Sequence, residues 1–147
     1  MRTDKGAAKA AIGAFTRPFI LIADDDADAR EMYALYLDMV GYMVAVARDG
    51  REAVKKAREL RPDLIVMDLD MPDIDGWSAI RQLQADADTA SIPIVVLTGH
   101  DFKDYLKPAA LAAGAVAYLI KPCLPEQLAR EVSARLAMRR AGTASAR

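Results

Sequence analysis

The sequence is poor in the residues that build covalent cross-links and zinc sites. It contains one cysteine, Cys123, and one histidine, so an internal disulfide and a zinc site of the usual kind are both excluded. A bound metal would therefore need oxygen ligands, which favours magnesium or calcium. A single cysteine also favours a reducing compartment, and we expect a cytoplasmic location.

Long apolar runs and an excess of positive charge are also missing. The longest apolar runs, Phe19–Ala23 and residues 92–97, are too short to cross a bilayer. The formal net charge is −1, so no overall basic field marks a binder of nucleic acid or membranes. Residues 1–9 carry charges of both signs without a continuous apolar segment, and we expect no secretory signal there.

Short apolar runs alternate with helical patterns along most of the chain. Strands are predicted at residues 19–23, 42–47, 64–67, 92–97 and 116–120, and helices at about 28–40, 51–60, 76–85, 105–113 and 125–140. Strict alternation of this kind predicts an α/β fold in which helices cover both faces of a doubly wound, five-stranded parallel sheet. We expect one domain at residues 17–140, with flexible tails at 1–16 and 141–147.

Polar side chains follow four of the five predicted strands. In strand order they are Asp24, Asp25 and Asp26, then Asp68 and Asp70, then Thr98, and finally Lys121. In open parallel sheets ligands bind beyond the C-terminal ends of the strands, so these groups are expected to converge. Clustered carboxylates repel one another, and a divalent cation with oxygen ligands would remove that repulsion.

The chemistry expected of this cluster is phosphoryl transfer to a carboxylate. Asp25 and Asp68 are suited to bind Mg²⁺ directly, and Asp24 could act through a water molecule. Asp68 would be the nucleophile, while Thr98 and Lys121 would stabilise the phosphoryl oxygens. The product would be an acyl phosphate on Asp68.

These motifs resemble those of receiver domains in response regulators of two-component signalling systems, including the chemotaxis-type single-domain regulators. Residues 66–76 resemble the phosphorylation loop of that family, and residues 21–25 resemble its acidic pair. Residues 96–99 resemble its switch threonine segment, and residues 118–122 resemble its switch aromatic and lysine segment. The resemblance extends over residues 18–138 and implies a (βα)5 flavodoxin-like fold with strand order 2-1-3-4-5.

The resemblance implies a division of labour among the acids. Asp68 would be the phospho-acceptor and also a metal ligand, and Asp24 and Asp25 would bind Mg²⁺ with it. Asp70 would contribute mainly its backbone carbonyl to the metal. Catalysis would consist of positioning and charge stabilisation in a phosphorelay protein, and we do not expect an enzyme that acts on a separate substrate.

The resemblance also implies a switch and its partners. A histidine kinase or a histidine phosphotransfer protein would donate the phosphoryl group, which Thr98 and Lys121 would clasp. Tyr118 would turn inward as Thr98 moves toward the phosphate. The signal would pass to a downstream protein or a self-dimer, with no nucleic acid or membrane contact. It would use the face of the fourth helix, fifth strand and fifth helix, expected to include Leu106, Lys107, Leu111, Tyr118, Gln127 and Arg130.

Three alternatives stay open at this point. The chain could be a receiver excised from a longer regulator or hybrid kinase, or a pseudo-receiver that only binds a partner, although the complete acidic set argues against the latter. The alternative from another class is a phosphohydrolase similar to haloacid dehalogenases. Asp68 and Asp70 fit its DxD motif, but Pro72 occupies a position that is usually threonine or valine in that class.

Several neighbours of these motifs have more ordinary expected roles. Asp28 is the favoured cap of the first helix, although Asp24, Asp25 or Asp26 could also cap it, and Asp26 is expected to deepen the negative field of the cluster. Gly99 occupies a position where many members of the family have alanine. Cys123 is expected to be a small packing residue, and His100 an exposed loop residue.

Overall fold

The computed structural model describes residues 17–71, 74–99 and 105–145, with side chains up to residue 141 at the C-terminal end. Its strands are β1 (Phe19–Ala23), β2 (Met43–Ala47), β3 (Leu64–Met67), β4 (Ile94–Thr98) and β5 (Ala117–Ile120). Its helices are α1 (Ala27–Met39), α2 (Gly50–Leu60), α3 (Gly76–Ala85), α4 (Lys107–Ala113) and α5 (Pro125–Ser145). The predicted N-terminal tail, Pro72 and His100 lie outside these residues.

The five strands form one parallel sheet in the order β2-β1-β3-β4-β5, which confirms the predicted fold class and strand order. Ala23 at the end of β1 pairs with Ala47 of β2 on one side and with Met67 of β3 on the other. The residues that follow β1 and β3 therefore leave the sheet side by side. This adjacency brings Asp24 close to Asp68, although 43 residues of sequence separate them.

Helices cover both faces of the sheet because the strands are apolar on both sides. On β1, Ile20 and Ile22 face a cluster that includes residues of α1 and α5, while Leu21 and Ala23 face residues of α2, α3 and α4. Successive strand residues point to opposite faces, so an uninterrupted apolar strand needs cover on both. All five residues of β1 are buried accordingly.

Several element boundaries differ from the prediction. β4 begins at Ile94, two residues later than expected, because Pro93 has no N–H to donate to a ladder. α4 begins at Lys107 instead of Tyr105. α5 continues to Ser145, beyond the expected end at Arg140, because the segment after it is rich in alanine and contains no proline.

The cap of α1 differs from the favoured candidate, Asp28, and is one of the three acids that the sequence left as alternatives. Asp26 is the N-cap residue, and its carboxylate accepts a hydrogen bond of 3.1 Å from the backbone N–H of Asp28. Asp28, the favoured candidate, lies in the first turn of the helix. Its negative charge there interacts favourably with the positive end of the helix dipole. The last of the three consecutive acids therefore has a structural role of its own.

None of the helices in the described ranges has an apolar stretch long enough to cross a membrane.

Candidate functional site

Three carboxylates converge at the C-terminal edge of the sheet. Asp24 and Asp25 follow β1, Asp68 follows β3, and one carboxylate oxygen from each lies within 4.8 Å of the others. Asp24 and Asp68 are buried, whereas Asp25 is exposed to solvent. The donor set consists of carboxylate oxygens with surplus negative charge, and such a set is of the kind that can hold Mg²⁺.

Asp24 is held by hydrogen bonds at its backbone and at its side chain. Its N–H donates to the carbonyl of Ala47 at 3.0 Å, and its own carbonyl accepts from the guanidinium of Arg30 at 2.8 Å. One carboxylate oxygen accepts from the N–H of Asp26 at 2.9 Å, and the other accepts from the ammonium of Lys121 at 2.6 Å. These four bonds fix the orientation of the first acid of the cluster.

Asp68 lies against the end of β1 with its carboxylate buried. Its backbone N–H donates to the carbonyl of Ala23 at 2.9 Å, and its Oδ1 accepts from the N–H of Asp70 at 3.1 Å. Burial raises the pKa of Asp68 from 3.8 to about 6, and the charge of Asp24 adds to this effect, while the bond from Asp70 opposes it. A buried acid with a raised pKa beside other acids marks a site that a cation would stabilise.

Lys121, which follows β5, provides positive charge between two of the acids. Its Nζ lies 2.6 Å from Oδ2 of Asp24 and 3.8 Å from Oδ2 of Asp68. Burial alone would lower the pKa of Lys121, but the hydrogen bond and charge of Asp24, with the charge of Asp68, raise it overall. The ammonium group therefore stays charged at neutral pH.

Thr98 and Tyr118, the two predicted switch residues, lie on neighbouring strands and are both buried. Thr98 ends β4 and its carbonyl accepts a 2.9 Å hydrogen bond from the backbone N–H of Lys121. Tyr118 is 8% exposed, pairs with Val96 in the sheet register, and belongs to the apolar cluster under α2, α3 and α4. Tyr118 is therefore buried in this conformation, and its inward turn and its part in the output face stay predictions.

The loop after Asp68 is fixed by a close approach of α3. The backbone N–H of Gly76 donates to the carbonyl of Leu69 at 3.1 Å, and Asp75 caps the helix by accepting from the N–H of Ser78 at 2.9 Å. A Cβ atom on Gly76 would collide with the backbone carbonyl of Asp68 and would lie 2.6 Å from Cα of Leu69. Only glycine lets α3 approach the acceptor residue this closely.

Two residues of α1 contact the site although sequence analysis did not single them out. Arg30 donates to the carbonyl of Asp24, and Tyr33 donates from its hydroxyl to the carbonyl of Cys123 at 2.6 Å. They are three residues apart, so they lie on one face of α1, but this spacing alone does not indicate contact with the site. Cys123 is buried, as expected of a small packing residue.

Comparisons of sequence and of structure identify similar proteins of one and the same family. The family model described as the response regulator receiver domain matches residues 20–133. The DNA-binding response regulator MtrA of Mycobacterium tuberculosis is 41% identical over 121 residues, which cover 82% of this chain and 51% of that protein. The chain thus spans about half the length of the curated relatives it matches.

Two solved structures show the same fold. The chemotaxis response regulator CheY4 of Vibrio cholerae has a TM-score of 0.76 and 32% identity, covering 82% of this chain and 99% of that one. The receiver domain of the sensor histidine kinase PA1611 of Pseudomonas aeruginosa has a TM-score of 0.75 and 30% identity, covering 82% of this chain and 98% of that one. The latter was solved with a magnesium ion coordinated in its active-site cleft.

Proposed function

The chain belongs to the response regulator receiver domain family of two-component signalling, and on that premise we propose that Asp68 is its phospho-acceptor. The observation that supports this assignment best is the convergence of Asp24, Asp25 and Asp68, whose ligand atoms lie within 4.8 Å of one another. Asp68 is the member of this group that follows β3 and faces both Asp24 and Lys121.

The acidic cluster is proposed to hold Mg²⁺ through Asp24, Asp25 and Asp68, with the backbone carbonyl of Asp70 as a further ligand. A magnesium ion bound there would offset the negative charge of the acids and of an incoming phosphoryl group. The magnesium-containing cleft in the PA1611 receiver domain supports this proposal by analogy. In this chain the support is the oxygen donor set and the raised pKa of Asp68.

Lys121 and Thr98 are proposed to stabilise the phosphoryl group once it is bound to Asp68. The ammonium of Lys121 is 3.8 Å from Asp68, and the backbone N–H of Lys121 bonds to the carbonyl of Thr98. Their positions at the ends of β5 and β4 place both residues at the same edge of the sheet as the acids. Rearrangement of Thr98 and Tyr118 would then carry the signal away from the site.

The donor is proposed to be a histidine kinase or a histidine phosphotransfer protein, the usual partners of receiver domains. The output is proposed to be a contact with a protein or a second copy, through the face of α4, β5 and α5. Lys107, Leu111, Gln127 and Arg130 on that face are exposed. MtrA is named as DNA-binding, and the prediction that no nucleic acid is bound applies to the residues of this chain alone.

The family is a signalling family, and we propose that this chain does not turn over a separate substrate. A phosphohydrolase similar to haloacid dehalogenases would use the side chain of Asp70 as an acid, whereas a receiver needs mainly its backbone carbonyl. The exposed position of Asp70, with its N–H bonded to Asp68, is compatible with the receiver assignment. A cytoplasmic location stays the prediction made from the single cysteine.

Labelling by acetyl phosphate tests the proposed function. Wild-type protein in Mg²⁺ should gain the mass of one phosphoryl group, and EDTA should prevent this gain because the charge of the acids would no longer be offset. Asp68→Asn should gain no mass, while Asp70→Asn, the matched control two residues away, should still be labelled and should not hydrolyse a phosphomonoester. Equal labelling of wild type and Asp68→Asn would contradict the assignment.

A further inference from the structure

The segment that carries Lys121 is tied to α1 by a buried hydrogen bond. The hydroxyl of Tyr33 donates to the carbonyl of Cys123 at 2.6 Å, and the two residues are 90 positions apart in sequence. Both side chains belong to the apolar cluster under α1 and α5. Burial raises the pKa of Tyr33, so its hydroxyl stays protonated and acts as a donor at neutral pH.

Hydrogen bonds hold the short connection between β5 and α5 at its start, at its middle and at its end. The N–H of Lys121 donates to the carbonyl of Thr98 at 2.9 Å, and the N–H of Leu124 donates to the side chain of Gln127 at 2.9 Å. Between these two bonds lies the one from Tyr33 to Cys123. The first belongs to the sheet and the second to α5. Among the residues that the structure describes, the tyrosine bond is therefore the hydrogen bond that joins this connection to α1.

The segment after β5 and the region of α1 are also in contact within the candidate site. The loop before α1 carries Asp24, which binds the ammonium of Lys121 at 2.6 Å. Arg30, one turn before Tyr33 on α1, fixes the backbone of that loop through the carbonyl of Asp24. Because α1 contacts both loops, the distance between the backbones that carry Asp24 and Lys121 depends on α1.

We propose that Tyr33 is a positioning residue for Lys121, holding its backbone so that the ammonium can move from Asp24 to a phosphoryl group on Asp68. This inference rests on the proposed function. With its backbone fixed at Thr98 and at Cys123, Lys121 reaches Asp68 by side-chain rotation alone. Without the tyrosine hydroxyl, the connection after Lys121 gains freedom, and the ammonium spends less time where it stabilises the transferring group.

Tyr33→Phe removes the hydroxyl and keeps the ring, and Tyr36→Phe makes the same change one turn further along α1. We expect Tyr33→Phe to lower the rate constant of labelling at saturating acetyl phosphate by about tenfold, because misplaced stabilising groups reduce rates steeply. The Mg²⁺ concentration for half-maximal labelling should stay unchanged, since the proposed metal ligands follow β1 and β3. Tyr36→Phe should behave as wild type in both measurements.

A purely structural role of Tyr33 would give a different result. The urea midpoint of Tyr33→Phe would then fall, but the folded molecules would react at the wild-type rate, and this outcome would overturn the proposal. An equal loss of rate in Tyr36→Phe would overturn it as well.

Hydrogen exchange tests the anchoring without phosphorylation. The amides of Lys121, Cys123 and Leu124 should exchange faster in Tyr33→Phe than in wild type or Tyr36→Phe, and unchanged exchange would overturn the anchoring role. Failure of the wild type to label would instead overturn the proposed function, and with it the part of Tyr33 in the reaction. The two failures are therefore distinguishable.

Discussion

The ammonium nitrogen of Lys121 lies 2.6 Å from Oδ2 of Asp24 but 3.8 Å from Oδ2 of Asp68. The lysine is thus engaged mainly by the neighbouring acid in this conformation. Transfer of a phosphoryl group to Asp68 would add negative charge beside the lysine and would shift it toward Asp68. A ligand of this kind changes the population of two arrangements in proportion to how much better it binds one of them.

Removal of the Lys121 side chain should separate phosphorylation of Asp68 from the conformational change that follows it. We expect Lys121→Ala still to be labelled by acetyl phosphate in Mg²⁺, because the acids remain, but at least as slowly as Tyr33→Phe, because the ammonium is lost. The labelled variant should transmit little conformational change. Hydrogen exchange of α4 and β5 before and after labelling measures this transmission. Lys55→Ala, an exposed change on α2, should show the wild-type response, and a normal response in Lys121→Ala would contradict the role given to the lysine.

The raised pKa of Asp68 predicts a pH-dependent cost to stability in the absence of Mg²⁺. The folded protein holds this proton up to about pH 6, whereas the unfolded chain releases it near its ordinary pKa of 3.8. As the pH rises through this window, wild type should lose stability relative to Asp68→Asn, by up to about 3 kcal/mol once Asp68 is fully ionised. Below the acidic end of the window Asp68 is protonated in both the folded and the unfolded state, so its charge should contribute nothing to the difference between the two proteins.

Urea unfolding of wild type and Asp68→Asn at a series of pH values measures this difference. Saturating Mg²⁺ should reduce it by stabilising wild type, because an ion that binds only the folded state raises the free energy of unfolding. A constant difference across the window would show that Asp68 has an ordinary pKa in the folded protein.

Substitution by alanine should lower the stability of the protein at Gly76 but not at Gly99. Gly76→Ala places Cβ against the backbone of Asp68 and Leu69, so we expect a loss of at least about 2 kcal/mol in the free energy of unfolding. Gly99→Ala places Cβ in ordinary contact with the side chain of Lys121, at 3.7 Å from its Cβ, and should be tolerated. Equal stabilities of the two variants by urea unfolding would contradict the close approach of α3.

The capping role of Asp26 can be separated from its charge. Asp26→Ala should cost about 1 kcal/mol of stability, because it removes the acceptor for the N–H of Asp28, whereas asparagine caps as well as aspartate. Asp26→Asn is therefore the matched control and should stay close to wild type in thermal or urea unfolding. Asp28→Ala should lower the free energy of unfolding by less than Asp26→Ala does. The reverse order would indicate that Asp28 is the cap.

Local patterns in the sequence determined the framework and the identity of the acids. Apolar runs bounded by polar residues predicted β1 and β3 to the residue, since a strand buried on both faces needs an uninterrupted apolar run. The resemblance to receiver domains supplied the strand order, and the sheet confirmed it. Asp24, Asp25, Asp68 and Lys121 could be predicted as neighbours because each follows a parallel strand at the same edge.

Only the tertiary structure decided which of these groups bind one another. The bond from Lys121 to Asp24 joins residues 97 positions apart, and that from Tyr33 to Cys123 joins residues 90 apart. Nothing in local periodicity distinguishes Asp24 from Asp68 as the partner of the lysine, because both follow adjacent strands. The choice depends on side-chain reach and on the packing of α1 against the loops, which are set by the folded chain as a whole.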